Sequence, residues 1–429
     1  MMKETAEAFL RRHDMHYDQM PFGELVRRYR EDMDAALAGR PSTVLMLPSF
    51  LRADEEPRRG ESVLVIDAGG SNLRAGRAHF DAEGRPVIDA LRKRRMPGAG
   101  GEEIDAETMV EEIASFALEF AGDCRRACIG FSYPCDVLPD GDGRILRLGK
   151  EVRVRGVEGL LLCAALEKAL RRMGAAGERK WKLVNDSVGS LLGGMAEADR
   201  RAYADYIGFI LGTGTNACCR LPSAEIIKSP EAMALGGETI VNVESGCFGR
   251  LLQGTADREL DAASDMPGDH LAEKMISGGY YRQVLRRTLL LAVREGILSP
   301  GTGEALEALR LNSAMVDAFC REPRGDNPLA GTLANNEERD FAAEVNTLLL
   351  ERAARVSAAC LAAIAQKRAL PAGSRVCVCA DGTMLRLNPV LLPRMEAILR
   401  ENCPGVEMEF RFIEDATLLG CVWAGLTGE

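Results

Sequence analysis

Three short turns in this sequence carry residue types suited to holding phosphate. Asp67-Ala68-Gly69-Gly70-Ser71-Asn72 stands where the apolar run VLVI reverses direction. Glycines there let backbone N–H groups approach an anion with no Cβ in the way. Asp67, at the end of the run, is placed to hold Mg²⁺ through water, since that ion favours oxygen ligands and keeps part of its hydration. Gly212-Thr213-Gly214-Thr215-Asn216 repeats the design about a third of the chain later, and Asp381-Gly382-Thr383 follows another apolar run. Each turn by itself also reads as an ordinary hairpin or loop. Two that both end in Ser/Thr-Asn point to a bipartite nucleotide clamp. No GKS or GKT follows either turn, so neither is a P-loop, and neither is a GxGxxG dinucleotide turn.

Other candidate residues are ambiguous when taken singly. Asp186 closes the run LVND at the head of an apolar helical stretch. A carboxylate in that place either caps the helix or takes a proton from a hydroxyl nucleophile. Glu244 in VNVESG and Glu273 in HLAEKM read as surface acids, and Lys150 in LGKEV as a solvated charge. Arg92-Lys93-Arg94-Arg95 reads as a solvated strand end.

The elements that must position these residues alternate between strand and helix. VLVIDAGGSNLRAGRAHF is a strand, a glycine turn and a second strand, and DYIGFILGTGTNACCRL copies that design. The repetition predicts two duplicated α/β lobes, a similarity of pattern more than of residues. PVIDALRKRRM predicts a further strand, and RACIGFSYPC a strand running into a loop. WKLVNDSVGSLLGG predicts a strand feeding a helix. Helical spacing predicts amphipathic helices over 4–38, 104–120, 157–173, 271–296 and 336–367, with a last helix in FIEDATLLGCVWAGL. MLPSFLRADEEPRRGES, broken by prolines and charges, reads as connection.

Composition bounds the possibilities. A chain of 429 residues is too long for one ordinary core, so two large lobes are expected. The apolar share of 46% with 28% charged residues is that of a globular protein able to bury a large core. The net charge of −10 repels nucleic acid and anionic membrane surfaces, which are therefore poor partners. The 13 cysteines are scattered without paired CxxC units, and Cys377 and Cys379 alternate on one face of a strand. Buried thiols in a reducing compartment are expected, not zinc or disulfides. MMKETAEAFLRRHDM lacks the apolar core of a signal peptide, and no apolar run is long enough to cross a bilayer. A cytoplasmic location is expected.

In order, the motifs resemble those of the hexokinase family, within the actin-like ATPase (ribonuclease H-like) fold. The resemblance runs from Met46 to the final helix. IDAGGSN and GTGTNAC are similar to the two phosphate motifs, FSYPC to the sugar loop, and LVNDSVG to the motif carrying the base. VNVESGCFG and GDHLAEKMISGGYY resemble the segments that deliver glutamates to the sugar. The resemblance implies a two-lobed α/β fold with its site in the cleft, and ATP-dependent phosphorylation of a hexose, glucose first, at its 6-hydroxyl. Fructose, mannose or an amino sugar as the preferred acceptor, or a low-turnover sugar sensor, stay open. Carried over by motif, Asp186 would be the base. Ser132, Lys150, Asn185, Asn216, Glu244 and Glu273 would hold the hexose. Asp67, Gly69, Gly70, Ser71, Asn72, Thr213, Gly382 and Thr383 would face MgATP, with Asp67 reaching Mg²⁺ through water. Expected lobe limits are 61–184 plus 414–429 for the small lobe and 1–60 plus 185–413 for the large one. The chain departs from the family at Gly149 (usually Thr), Ser245 (usually Trp) and Asp415-Ala416-Thr417-Leu418-Leu419, where the last helix usually starts with glycines.

Overall fold

The computed structural model describes residues 4–70, 72–148, 152–197 and 202–428. Within it, the apolar runs flanking the two glycine turns become the central strands of two sheets built to one plan. The first sheet contains β2 (Ser62–Ala68), β3 (Asn72–Phe80), β4 (Pro86–Arg95), β6 (Arg126–Phe131) and β10 (Lys180–Val184), in the order β10-β6-β2-β3-β4. β2, β3 and β4 form an antiparallel meander, while β6 and β10 continue parallel on the other side of β2. The second sheet uses β11 (Asp205–Leu211), β12 (Thr215–Pro222), β13 (Glu238–Asn242), β14 (Ser374–Asp381) and β15 (Val406–Arg411). One further strand, β1 (Leu47–Arg52), lies beyond β13, and the order β1-β13-β12-β11-β14-β15 otherwise repeats the plan. Two ribbons complete the strands, β5 (Ile104–Asp105) with β9 (Val154–Arg155) and β7 (Cys135–Val137) with β8 (Gly143–Ile145).

Strand position explains the sequence patterns. All six residues of β6 are buried, as expected of a parallel strand covered on both faces. β4 is an edge strand whose last seven residues are exposed. Its arginines pair outward, Arg92 with Glu119 and Arg94 with Glu112, both at 2.5 Å.

α3 (Ala106–Ala121) and α4 (Leu162–Arg172) cover one face of the first sheet, Ile113 and Leu166 joining Leu64 and Ile66 in a core. α5 (Asp186–Glu197) and α16 (Ala416–Leu426) lie between the two sheets. Their Leu191, Val188, Val422 and Trp423 share a core with Val63 and Val65 of β2 and with Tyr206, Cys218 and Cys379 of the other sheet. The two helices touch backbone to backbone. A Cβ on Gly193 would sit 2.2 Å from Ala416 O, and one on Gly420 would sit 2.0 Å from Gly189 O.

The other helices build out the second sheet's side. They are α1 (Ala6–Arg12), α2 (Phe22–Leu37), α6 (Pro230–Ala234), α7 (Thr255–Ala262), α8 (Leu271–Ile276) and α9 (Gly278–Arg294). α10 (Pro300–Ala308), α11 (Ser313–Arg321), α12 (Pro328–Gly331), α13 (Asn336–Arg368), α14 (Thr383–Leu387) and α15 (Leu391–Asn402) follow. α13 is pinned by Arg352, which is buried and forms a two-pronged ion pair with Asp257 of α7 at 2.7 and 2.9 Å.

Several expectations are corrected. The helix read over 4–38 breaks at Asp14, which has positive φ, and Pro21 then precedes α2. The helix read over 157–173 starts only at Leu162. The stretch 271–296 divides at Ser277, whose backbone is extended, into α8 and α9. Leu47–Arg52 is not connection but the edge strand β1, and an edge is where Pro48 is tolerated, because proline has no N–H to donate. No helix among the described residues is long and apolar enough to cross a membrane.

Candidate active site

Ligands of open α/β sheets collect outside the carboxyl ends of the strands, and four carboxylates stand at such ends or at the helices beside them. Asp67 ends β2, Asp381 ends β14, Asp186 follows β10 at the head of α5, and Asp415 precedes α16. Asp67 and Arg74 face each other in the β2–β3 register. The Arg74 guanidinium donates to Asp67 Oδ2 from Nε at 2.8 Å and from Nη2 at 2.6 Å, and pairs with Asp415 through Nη1. Burial nonetheless pushes the Asp67 carboxyl up, with Arg74 opposing.

Asp186 is surrounded by protein, although part of the residue still reaches solvent. Its carboxyl is pushed up to about 7, first by burial and then by the charges of Glu244, Asp67 and Asp381. The Ser187 amide, donating to Asp186 Oδ1 at 2.8 Å, opposes that rise.

A chain of amides joins the head of α5 to the glutamates. Asn185 Oδ1 accepts from Ser187 Oγ at 2.7 Å and from Ser187 N at 2.9 Å. Asn216 Nδ2 donates to Asn185 Oδ1 at 3.3 Å and to Asn242 Oδ1 at 2.8 Å. Asn242 Nδ2 donates in turn to Glu244 Oε1 at 2.7 Å. Glu244 has φ 54° and ψ 50°, a left-handed conformation that costs a non-glycine residue about 1–3 kcal/mol and is kept only where the surroundings enforce it. Glu273, in α8, accepts from Thr215 N at 3.0 Å. Gly214 and Gly246 make room for it, since a Cβ at either would stand 2.7 or 3.4 Å from Glu273 Oε2. Burial raises both glutamate carboxyls. A cavity of about 20 Å³ is lined by Ser49, Tyr133, Asn185, Asn242 and Glu244 among others.

Asn185, Asn216, Glu244 and Glu273 thus form one set beside Asp186. Ser132 follows β6, its N donating to Ala68 O at 3.2 Å. The adjacent Tyr133 Oη donates to Gly69 O at 3.2 Å and Gly70 O at 3.1 Å, pinning the first turn. Asn72 opens β3, where its carbonyl accepts from Gly69 N at 3.0 Å. Lys150, Ser71 and Gly149 lie outside the described residues.

The second turn meets the third. Gly382 has φ 115°, and a Cβ there would lie 2.3 Å from Leu211 C. Gly212 O accepts from Gly278 N at 2.7 Å and Thr213 O from Gly279 N at 3.1 Å, which fixes the turn to the start of α9. Thr213 and Thr383 stand exposed beside it. Arg74 pairs with Asp67 and Asp415, and Arg386 pairs with Asp381 at 3.2 Å. Two arginines thus face three carboxylates, with Asp186 besides, and carboxylate oxygens in excess are the donor set a magnesium ion needs.

Sequence reasoning missed Arg74 and Asn242, and it assigned no role to the carboxylates of Asp381 and Asp415. A signal existed for Arg74, which follows Asn72 by two residues and so shares its face of the strand. Asn242 and Glu244 likewise share an i, i+2 spacing, but that cue fails beyond the strand end, where Glu244 turns left-handed.

Two sheets of one plan, with glycine turns and carboxylates at their strand ends, define a two-lobed α/β protein of the actin-like ATPase fold. Models of the hexokinase family match residues 6–196 and 206–426. The chain belongs to the hexokinase family. It is 29% identical to human hexokinase HKDC1 over 430 residues, which covers 92% of this chain and 45% of that protein. To human hexokinase-3 it is 27% identical over 439 residues, 97% of this chain and 46% of the relative. The chain therefore spans about half the length of the curated relatives it matches. In fold it matches the Schistosoma mansoni hexokinase complexed with glucose, with a TM-score of 0.80 at 21% identity, over 99% of this chain and 100% of that one. A ROK hexokinase from Thermus thermophilus follows more distantly, with a TM-score of 0.52 at 16% identity over 85% of this chain and 97% of that one.

Proposed function

We propose that this chain transfers the terminal phosphate of ATP to the 6-hydroxyl of a hexose, glucose first. The observation that carries the reading is Asp186, a carboxylate raised to about 7 at the head of α5, beside a set of buried amides and acids. A sugar hydroxyl is a poor nucleophile at neutral pH, and a base with a pKa near the working pH is best matched to take its proton. Asp186 accepts that proton. Asn185, Asn216, Glu244 and Glu273, with Ser132 and Lys150, pair with the remaining hydroxyls, which need both donors and acceptors.

Family membership and the two glycine turns support ATP as the donor, with Gly69, Gly70, Ser71 and Asn72 on one side and Thr213, Gly382 and Thr383 on the other. Asp67 would hold magnesium through water, and the ion would neutralise the phosphate charge that develops in transfer. Arg74 orients Asp67 for that task through its paired contacts. The lobes we assign are 61–184 plus 414–429 and 1–60 plus 185–413, closing over the sugar so that water does not take its place. The Schistosoma mansoni hexokinase of the same fold is complexed with glucose, which favours glucose here. The test is ADP release with MgATP and glucose, fructose or mannose side by side. Turnover fastest with glucose is expected; no turnover with any hexose would overturn the reading.

A further inference from the structure

Among the described residues, one group of potential metal ligands has atoms all within 4.8 Å of one another: Cys247, Asp269 and His270. They come from the two segments that carry the glutamates. Cys247 closes the single helical turn Ser245–Cys247 that follows Glu244. His270, held at φ 52°, precedes α8, which carries Glu273.

The spacing is that of two zinc ligands. Cys247 Sγ lies 3.5 Å from His270 Nε2. Bonds of about 2.3 Å to sulfur and about 2.0 Å to nitrogen, at a tetrahedral angle, set those two atoms about 3.5 Å apart. Nδ1 of the same ring stands 2.9 Å from Asp269 Oδ1 but has no hydrogen-bond partner among the described residues, which leaves this carboxylate close beside the imidazole and the thiol. Burial first, then the carboxylates of Glu244, Asp269 and Glu273, push the Cys247 thiol up, with Arg147 opposing, so the neighbouring charges alone favour a cation there.

We propose that Cys247 Sγ, His270 Nε2 and a carboxylate oxygen of Asp269 bind a soft divalent cation, zinc by ligand type, with the fourth position left to water. Thiolate and imidazole together select zinc over magnesium, so this site is distinct from that of the nucleotide's ion. Its occupant ties the segment bearing Glu244 to the segment bearing Glu273 and thereby sets the distance between the two glutamates. Binding releases the Cys247 thiol proton to solvent, which makes the affinity rise with pH.

The test uses the whole chain, stripped with a chelator and dialysed against Zn²⁺ or Co²⁺. Expected are one bound zinc per chain and, with cobalt, a thiolate-to-metal charge-transfer absorption. Both are lost in Cys247→Ser and His270→Ala and kept in Cys403→Ser, and Asp269→Asn weakens binding, since it removes the anionic charge from one of the ligands. Unchanged zinc content in Cys247→Ser and His270→Ala, or wild-type protein without the absorption, would overturn the proposal. Should either variant fold poorly, iodoacetamide labelling of the wild type decides. Zinc is expected to protect Cys247 as mapped by mass spectrometry, and equal labelling with and without zinc overturns the site. None of these readouts measures phosphoryl transfer, so failure here is separate from failure of the kinase reading.

Discussion

Asn185, not Asp186, holds the cap position of α5, its Oδ1 accepting from Ser187 N, so at Asp186 only a shared hydrogen bond from that amide stands beside proton transfer. Asparagine accepts such a bond as aspartate does, but it cannot take a proton. Asp186→Asn should leave sugar and ATP binding near normal while kcat falls about 10²–10⁴-fold. A kcat close to wild type would leave Asp186 only its hydrogen bond from Ser187 N. The raised carboxyl also makes a stability prediction. The folded state holds this proton up to about pH 7, whereas the ordinary carboxyl releases it near 3.8. The stabilisation is complete below the ordinary value and is lost as pH rises through 7. Asp186→Asn lacks that loss, so denaturant unfolding should show the variant gaining on wild type between about pH 4 and pH 7, by up to about 4 kcal/mol at 1.36 kcal/mol per unit. In the same window, the proposed role of Asp186 as base has wild-type kcat climb with pH and level off above about 7, because only an ionised carboxylate can take a proton. Glu244 permits a ligand-selective test. Glu244→Ala leaves Asn242 Nδ2 without its acceptor, and a lost partner in a buried polar site costs about 1–3 kcal/mol. Calorimetry should show glucose affinity falling by that amount with ATP affinity nearly unchanged; equal losses would remove the sugar-specific role.

Among the elements, helix α5 shows what the sequence reveals and what it conceals. The run LVNDSVGSLLGG marks a strand passing into a helix because apolar spacing changes at Asp186, and that passage is present. The partner of α5 is not legible. Gly189, Gly193 and Gly194 look like helix-weakening residues until α16 and β14 come into place, where a Cβ would strike Thr417, Ala416 O and Cys379 Sγ respectively. Gly193→Ala should therefore destabilise the protein by about 1–3 kcal/mol, although alanine is the better helix former. Thermal unfolding would measure it, and a higher midpoint would mean that the two helices can part at little cost. β15 escapes a sequence reading for a related reason. VEMEFR alternates acids with apolar residues at the sheet's edge, and its half-exposed pattern lacks the continuous apolar run that makes β2 and β6 plain. Cys377 and Cys379 are legible as one strand face, and their sulfurs stand 3.7 Å apart in the core between the sheets.

For the whole molecule, the duplicated plan is visible in the two strand–turn–strand segments, because a strand buried on both faces must be apolar throughout. Contacts between distant segments are invisible, Arg74 with Asp415 and Arg352 with Asp257 above all. No local pattern encodes a partner 95 residues away. The second pair yields a prediction about cohesion. Asp257→Ala would strand the buried Arg352 charge and free the Gly254 amide that Asp257 also accepts from, at a cost of about 3–5 kcal/mol. Urea unfolding should register this as a lowered midpoint with no change in the pH dependence of kcat.

The backbone contact between α5 and α16 bears on how the two halves can move. Each helix carries the chain across the middle: α5 leads from β10 of one sheet to β11 of the other, and α16 returns from β15 to rest on β2 and β6. Where they cross at Gly189, Gly193 and Gly420, backbone lies on backbone, with the Thr417 side chain set against Gly189. So close a crossing leaves no room for an added side chain on either helix unless the other moves. In the two-lobe reading we propose, this crossing is the fixed point between the halves: any motion that brings the turn at Gly69 toward the turn at Gly212 has to leave the crossing, and the core that α5 and α16 share with both sheets, as they are.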